Sequence, residues 1–132
     1  MSLIEGTTSA QVHIERLLPV LENGGVMLGA FDEEGLLVGF AVLRYQLAEG
    51  TAQLDALFVS QGYRRQGIAT RLTSRVARLA RADGATDLYV SATPSESAVG
   101  FYLSQGFRLA DEVNEALYAL EPEDIHMIRR LG

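Results

Sequence analysis

The residues best equipped for chemistry sit in one stretch, Leu57-Phe-Val-Ser-Gln-Gly-Tyr-Arg-Arg-Gln-Gly-Ile-Ala-Thr-Arg-Leu72. It reads as an apolar strand end, a loop with Gly62 and Gly67 around Arg64 and Arg65, and a helix that starts near Gly67. Amides at a helix start have no intrahelical acceptor, and the helix dipole favours negative charge at that end. A strand, a glycine-containing loop and a helix start therefore make an anion site, the arrangement that holds phosphate groups. Charge agrees. The chain carries −6, yet residues 61–83 hold six arginines against one aspartate and so carry +5, leaving −11 for the rest. A positive island in an acidic chain predicts one anionic ligand at one place. Arg64 and Arg65 lie in the loop and are assigned to it. Arg75, Arg78 and Arg81 fit a solvated helix face equally well.

Two other side chains have reactive potential. Tyr102 lies in a second apolar helix. Asp55 is the one ionisable residue among Gln53, Asp55, Leu57 and Val59, which strict alternation would put on one face of their strand. A carboxylate among apolar neighbours has its pKa raised, which suits a base or a water relay. The bland reading of Asp55 is a strand residue with a structural hydrogen bond.

Composition narrows the chemistry. There is no cysteine, which excludes a thiol nucleophile, thiolate metal ligands and disulfides. Every basic residue is arginine, so a lysine Schiff base and the lysine-dependent phosphate loop of nucleotide hydrolases are excluded. His13 and His126 are the two histidines and lack ligand spacing, so no metal is expected. No Gly-x-Ser-x-Gly elbow is present. A pI near 4.8 argues against nucleic acid as a partner and suits a cationic second substrate. No apolar run is long enough to span a bilayer and no secretory leader is visible, so a cytoplasmic protein is expected.

The elements that must position these residues follow from the pattern. The 132 residues are read as a single domain, 1–132. Residues 7–23 look helical and are interrupted by Pro19. Residues 26–31, 36–45 and 51–59 read as three antiparallel strands joined by Asp32-Glu33-Glu34-Gly35 and Ala48-Glu49-Gly50. The helix after the loop puts Ile68, Leu72, Val76 and Leu79 on one face and ends at Asp83-Gly84. A strand at 86–92 then follows by a right-handed crossover, which makes it parallel to its partner. A helix over about 95–105 ends at Gly106. Residues 107–110, 116–120 and 125–131 are expected as late strands.

Thr93-Pro-Ser-Glu-Ser-Ala-Val-Gly-Phe-Tyr-Leu-Ser-Gln-Gly-Phe107 completes a pattern. Arg64-Arg65-Gln66-Gly67-Ile68-Ala69 fits a Gln/Arg-x-x-Gly-x-Gly/Ala phosphate loop. Ala98, Phe101-Tyr102 and Gly106-Phe107 fit the helix that follows it in the GNAT superfamily of acyl-CoA-dependent N-acyltransferases. Over roughly residues 25–131 the chain resembles that superfamily. The resemblance implies an α/β (α+β) fold: a mixed, mostly antiparallel twisted sheet flanked by helices, with a splayed parallel strand pair that binds acyl-CoA. It implies that backbone groups of Phe58 and Val59 hold the pantetheine arm and thioester carbonyl. Amides across Arg64, Arg65, Gln66, Gly67, Ile68, Ala69 and Thr70 would hold the pyrophosphate. Ser95 stands where the family usually has Asn, and Tyr102 where it often has the general acid. The strand that usually opens the fold is reduced to Leu3-Ile4.

The implied reaction moves an acetyl group from acetyl-CoA to a primary amine by direct attack in a ternary complex. The amine must first lose a proton, and the thiolate must gain one. Tyr102, at the position where the family often has its general acid, is expected to supply the thiolate's proton. Asp55 is the candidate base. A backbone N–H near Val59 is expected to stabilise the oxyanion. The competing class is an acyl-CoA sensor or interaction module without turnover. The sheet edges also suggest a homodimer.

Overall fold

The computed structural model describes residues 19–132. Its six strands are β1 (Val26–Phe31), β2 (Leu37–Ala48), β3 (Thr51–Val59), β4 (Asp87–Ala92), β5 (Arg108–Leu109) and β6 (Ile125–Arg130). The helices are α1 (Ile68–Ala82), α2 (Glu96–Ser104) and α3 (Glu115–Leu120), with a 3₁₀ turn at Gln61–Tyr63. The sheet order is β1-β2-β3-β4-β6-β5. Every pairing is antiparallel except β3 with β4. This is the mixed, helix-flanked sheet expected from the resemblance. Residues 19–22 are helical; the rest of the expected first helix, His13 and Leu3-Ile4 lie outside the described residues.

α1 crosses from β3 to β4 and lies on one face of the sheet. Leu72, Val76, Ala77 and Ala80 are buried there against Ala41 and Leu43 of β2, Ala52 and Leu54 of β3, and Leu88 and Val90 of β4. Each fully buried Leu or Val contributes about 1.5–3 kcal/mol. A charge at Val76, which is fully buried, would break this layer. Among the described residues, no helix is long and apolar enough to cross a membrane.

Two expectations are corrected. Residues 116–120 are not a strand but most of α3. Asn114 caps that helix, its side chain accepting the Leu117 N–H at 3.1 Å. Ala and Leu favour helix, and a capped turn satisfies the backbone locally. Strict alternation along β3 also fails. Leu43 pairs with Leu54 and Val42 with Ala56, so Asp55 is the extra residue of a β-bulge. Beyond the bulge the faces exchange. Leu57 packs with Leu54 on the α1 side, whereas Gln53 lies on the opposite face. Gln53 and Leu57 therefore do not share a wall.

Candidate active site

The parallel pair β3–β4 lasts three residues: Thr51 with Asp87, Ala52 with Leu88 and Gln53 with Tyr89. Beyond it each strand follows its other neighbour. β3 stays with β2 as far as Val59, and β4 stays with β6 as far as Ala92. The result is a V-shaped split. The Ser60 N–H donates to Val38 C=O on β2 at 2.8 Å. Antiparallel alternation then turns the peptide groups of Phe58 towards β2 and those of Leu57 and Val59 into the split. Of the two residues expected to meet the pantetheine, Val59 offers its backbone to the opening. Phe58 uses its backbone in the sheet, and its ring stacks on Phe40 at 5.8 Å on the face away from α1. Leu57, which the motif did not mark, offers its backbone instead.

The wide end of the split meets the start of α1. Gly67 is the N-cap at φ 80°, and no side chain caps the helix. Arg71 N–H makes the first intrahelical bond, to Gly67 C=O. The amides of Ile68, Ala69 and Thr70 thus lack intrahelical acceptors. No carboxylate lies in the first turn to satisfy them. Arg65 is the one non-glycine residue with positive φ among those described, at 67°. With Gly67 it gives the loop two left-handed residues around the exposed Gln66. Backbone of this kind turns successive N–H groups inward to form anion-binding concavities. Tyr63 fastens the loop to the β1–β2 hairpin by donating to Asp32 Oδ2 at 3.0 Å. The Leu36 N–H, and then Tyr63, hold the Asp32 carboxyl below the usual carboxylate range. Arg64 is exposed, with its Nε 3.4 Å from Val59 C=O. Arg71, Arg75 and Arg78 are exposed along α1, and Arg81 donates to Leu131 C=O at its far end.

The opposite wall is α2. Ser95 caps it, its hydroxyl accepting the Ala98 N–H at 3.1 Å, which leaves the hydroxyl proton to donate. Gln105 Nε2 donates to Thr70 Oγ1 at 3.3 Å and ties the end of α2 to the first turn of α1. Tyr102 is 8% exposed, edge-on to Phe101 and Phe107. Burial pushes its phenol up to about 12. This changes the expected acid chemistry. A phenol is a weaker acid than a thiol, so complete transfer to a thiolate is uphill even at reference values. With a phenol near 12 and a thiol near 8.5, the deficit is about 5 kcal/mol. Tyr102 is thus permanently protonated at neutral pH. It is suited to holding developing thiolate charge by a hydrogen bond rather than to releasing its proton.

On the other face, at the closed end of the split, stands a polar group that the motifs did not mark. Gln53 is buried with Oε1 unpartnered. Its register partner Tyr89 accepts the Asn114 N–H at 2.9 Å and lies 2.6 Å from His126 Nδ1. Asp55 is half-buried at the bulge and has a polar contact of its own. His126 was legible as a late-strand residue, but its contact with a tyrosine 37 positions away depends on sheet register. Among the described residues, no group of three His, Cys, Asp or Glu could hold a metal.

Residues 5–107 match the model of the acetyltransferase (GNAT) family. The chain belongs to the GNAT family. It is 33% identical over 70 residues to N-alpha-acetyltransferase 50 of Danio rerio, covering 52% of this chain. It spans 42% of that relative's length. An acetyltransferase of the GNAT family from Staphylococcus aureus Mu50 superposes with a TM-score of 0.78 at 24% identity, covering 97% of this chain and 82% of that one. The PaiA N-acetyltransferase of Thermoplasma acidophilum, solved in complex with coenzyme A, gives 0.68 at 19% identity, with 92% and 71% covered. These GNAT neighbours share the split sheet's fold.

Proposed function

We propose that this GNAT domain transfers an acetyl group from acetyl-CoA to a primary amine by direct attack in a ternary complex. The observation that carries the reading is the strand pair that parts after three residues and opens onto an uncapped, carboxylate-free helix start. In this reading the pyrophosphate sits on the amides across Arg64, Arg65, Gln66, Gly67, Ile68, Ala69 and Thr70, with Arg64 and Arg65 adding charge. The pantetheine arm lies along the free peptide groups of Leu57 and Val59, and the Ser95 hydroxyl donates from the facing helix. An N–H on the β3 side polarises the thioester carbonyl and holds the oxyanion. Tyr102 hydrogen-bonds the departing sulfur. The absence of cysteine leaves no thiol to carry an acyl-enzyme.

A net charge of −6 favours a cationic acceptor. Asp55, at the bulge beside the split, draws the ammonium in. Thiol release from acetyl-CoA, measured against a panel of primary amines, tests the reading. Amine-dependent release is expected. Tight acetyl-CoA binding with no such release would instead favour a sensor module without turnover.

A further inference from the structure

His126 is 6% exposed, and its Nε2 is buried without a hydrogen-bond partner. Its Nδ1 faces the Tyr89 hydroxyl at 2.6 Å. Proton bookkeeping assigns the tautomer. Tyr89 Oη already accepts the Asn114 N–H, so its own proton goes to Nδ1, and the imidazole proton sits on Nε2. The opposite assignment would strand the Tyr89 proton as well as Nε2, leaving two buried groups unsatisfied instead of one. Burial keeps the imidazole pKa below its ordinary value, partly opposed by Asp124, so His126 is neutral at pH 7. The other polar groups facing it among the described residues are Tyr118 on α3 and Ser91 on β4, and the Ser91 hydroxyl donates to Asp124. A neutral imidazole with its lone pair on a tyrosine hydroxyl can take that hydroxyl's proton; burial disfavours the resulting imidazolium, so the transfer from an ammonium is uphill and the proton is held only briefly.

The position of Tyr89 gives this acceptor a task. It is the last β4 residue in register with β3, opposite Gln53, at the closed end of the split. A groove of about 510 Å³ runs along the same face. Tyr89 and Asn114 form part of its wall, together with Thr51, Arg108, Asp111 and Glu112. The two carboxylates outnumber the single arginine, which is 3.6 Å from Asp111.

We propose that Tyr89, backed by His126, is the base for the acceptor amine, which enters through this groove. The inference rests on the transferase reading. An N–H bond of the incoming ammonium breaks and its proton moves to Tyr89 Oη. The Tyr89 hydroxyl proton passes to His126 Nδ1, and the positive charge moves from substrate to imidazole. The neutral amine attacks the thioester carbonyl and the C–S bond breaks. The excess proton on nitrogen goes to the departing thiolate, giving amide and free thiol. The imidazolium then returns its proton to solvent. Tyr89 is the catalytic residue; His126 acts through it as a positioning residue and proton store.

The test measures thiol release from acetyl-CoA with spermidine, kanamycin and a Met-initiated peptide, from about pH 6 to about pH 9.5, where the free-amine fraction rises. Wild type is compared with Tyr89→Phe, which loses one oxygen, and with His126→Gln; melting curves confirm that each is folded. Both variants are expected to lose about a hundredfold in kcat at pH 7, with KM for acetyl-CoA within about twofold of wild type. The loss should shrink as pH rises, because the amine then arrives already neutral. A purely structural dyad would lower the rate by the same factor at every pH, and that result, or an unchanged kcat, overturns the proposal while the transferase reading stands. Silence of wild type with every amine, with acetyl-CoA bound, sinks the transferase reading and the dyad's role with it.

Discussion

Gly67 and Gly84 bound the same helix and form a matched pair. Both have positive φ, 80° and 100°, and a Cβ built on either meets nothing within 4 Å. Alanine at each position therefore incurs the same left-handed backbone cost, about 1–2 kcal/mol, with no clash inside the protein. For a domain of this size that lowers Tm by something on the order of 3–10 °C. The two ends differ in what lies beside them. At Gly67 the methyl would stand at the start of α1, on the approach of the proposed phosphate to the amides of Ile68, Ala69 and Thr70, which lack intrahelical acceptors; at Gly84 it would stand past the helix C-terminus. Losing one amide hydrogen bond to a charged phosphate costs about 1.5–3 kcal/mol, which is about ten- to a hundredfold in Kd. Calorimetric titration with CoA reads this directly. Thermal shift gives an independent check: at a CoA concentration one hundred times the wild-type Kd, wild type gains about 2.7 kcal/mol, and a variant with thirtyfold weaker binding gains only about 0.9 kcal/mol. Gly84→Ala should match Gly67→Ala in ligand-free Tm and match wild type in CoA binding. CoA affinity in Gly67→Ala within about threefold of wild type would refute the phosphate-loop assignment, as would an equal loss in Gly84→Ala.

Tyr102→Phe keeps the ring in its aromatic packing. It should reduce kcat by about ten- to a hundredfold while leaving KM for acetyl-CoA nearly unchanged, and an unaffected kcat would remove the hydroxyl from the mechanism. The same residue carries an alkaline signature. Its folded pKa of about 12 lies above the unfolded value near 10, so its stabilising contribution is complete below pH 10 and is lost between pH 10 and 12. That contribution is about 3 kcal/mol, and urea melts across this window should show a slope that Tyr102→Phe reduces. Asp55→Asn should raise KM for a cationic amine about threefold to tenfold at low salt, with CoA affinity unchanged and the difference fading as salt is added. Steady-state kinetics at two ionic strengths checks it; an uncharged acceptor should show no such effect.

What was legible in the sequence depended on how locally each feature is determined. β3 runs over Thr51–Val59 as read, because Gly50 and the polar loop after Val59 bound an apolar run. The start of α1 and its left-handed Gly67 follow from a glycine placed before an amphipathic helix. The six residues of α3 were too few for a period to be counted, and Ala-Leu-Tyr-Ala-Leu passes for a strand. Asn114 followed by Glu115 was the available cap signal. The bulge at Asp55 leaves no mark in composition, because it arises where β3 answers to β2 and α1 together, and one extra residue reverses every facing beyond it. Tyr89 and His126 meet only because β4 and β6 pair in one register, with Ser91 opposite His126 and Tyr89 opposite Ile128.

The split itself follows from these pairings. β4 forms six register pairs with β6, and β3 continues with β2 as far as Val59, so each strand is held by its outer neighbour more firmly than by the other. The bulge at Asp55 adds local twist to β3 where the parallel ladder ends, and the two strands diverge. Divergence leaves the peptide groups of Leu57 and Val59 without a strand partner on the inner side, apart from the Arg64 contact at the Val59 carbonyl. In a fully paired sheet these groups would contribute stability; here they depend on water or a ligand. A ligand with amide groups spaced along an extended chain, anchored by phosphate at the α1 start, would complete the missing ladder on the β3 side. In the proposed reaction the stability withheld from the sheet becomes binding free energy for the acyl donor, and the gap ends at Gln53 and Tyr89, beside the groove proposed for the acceptor.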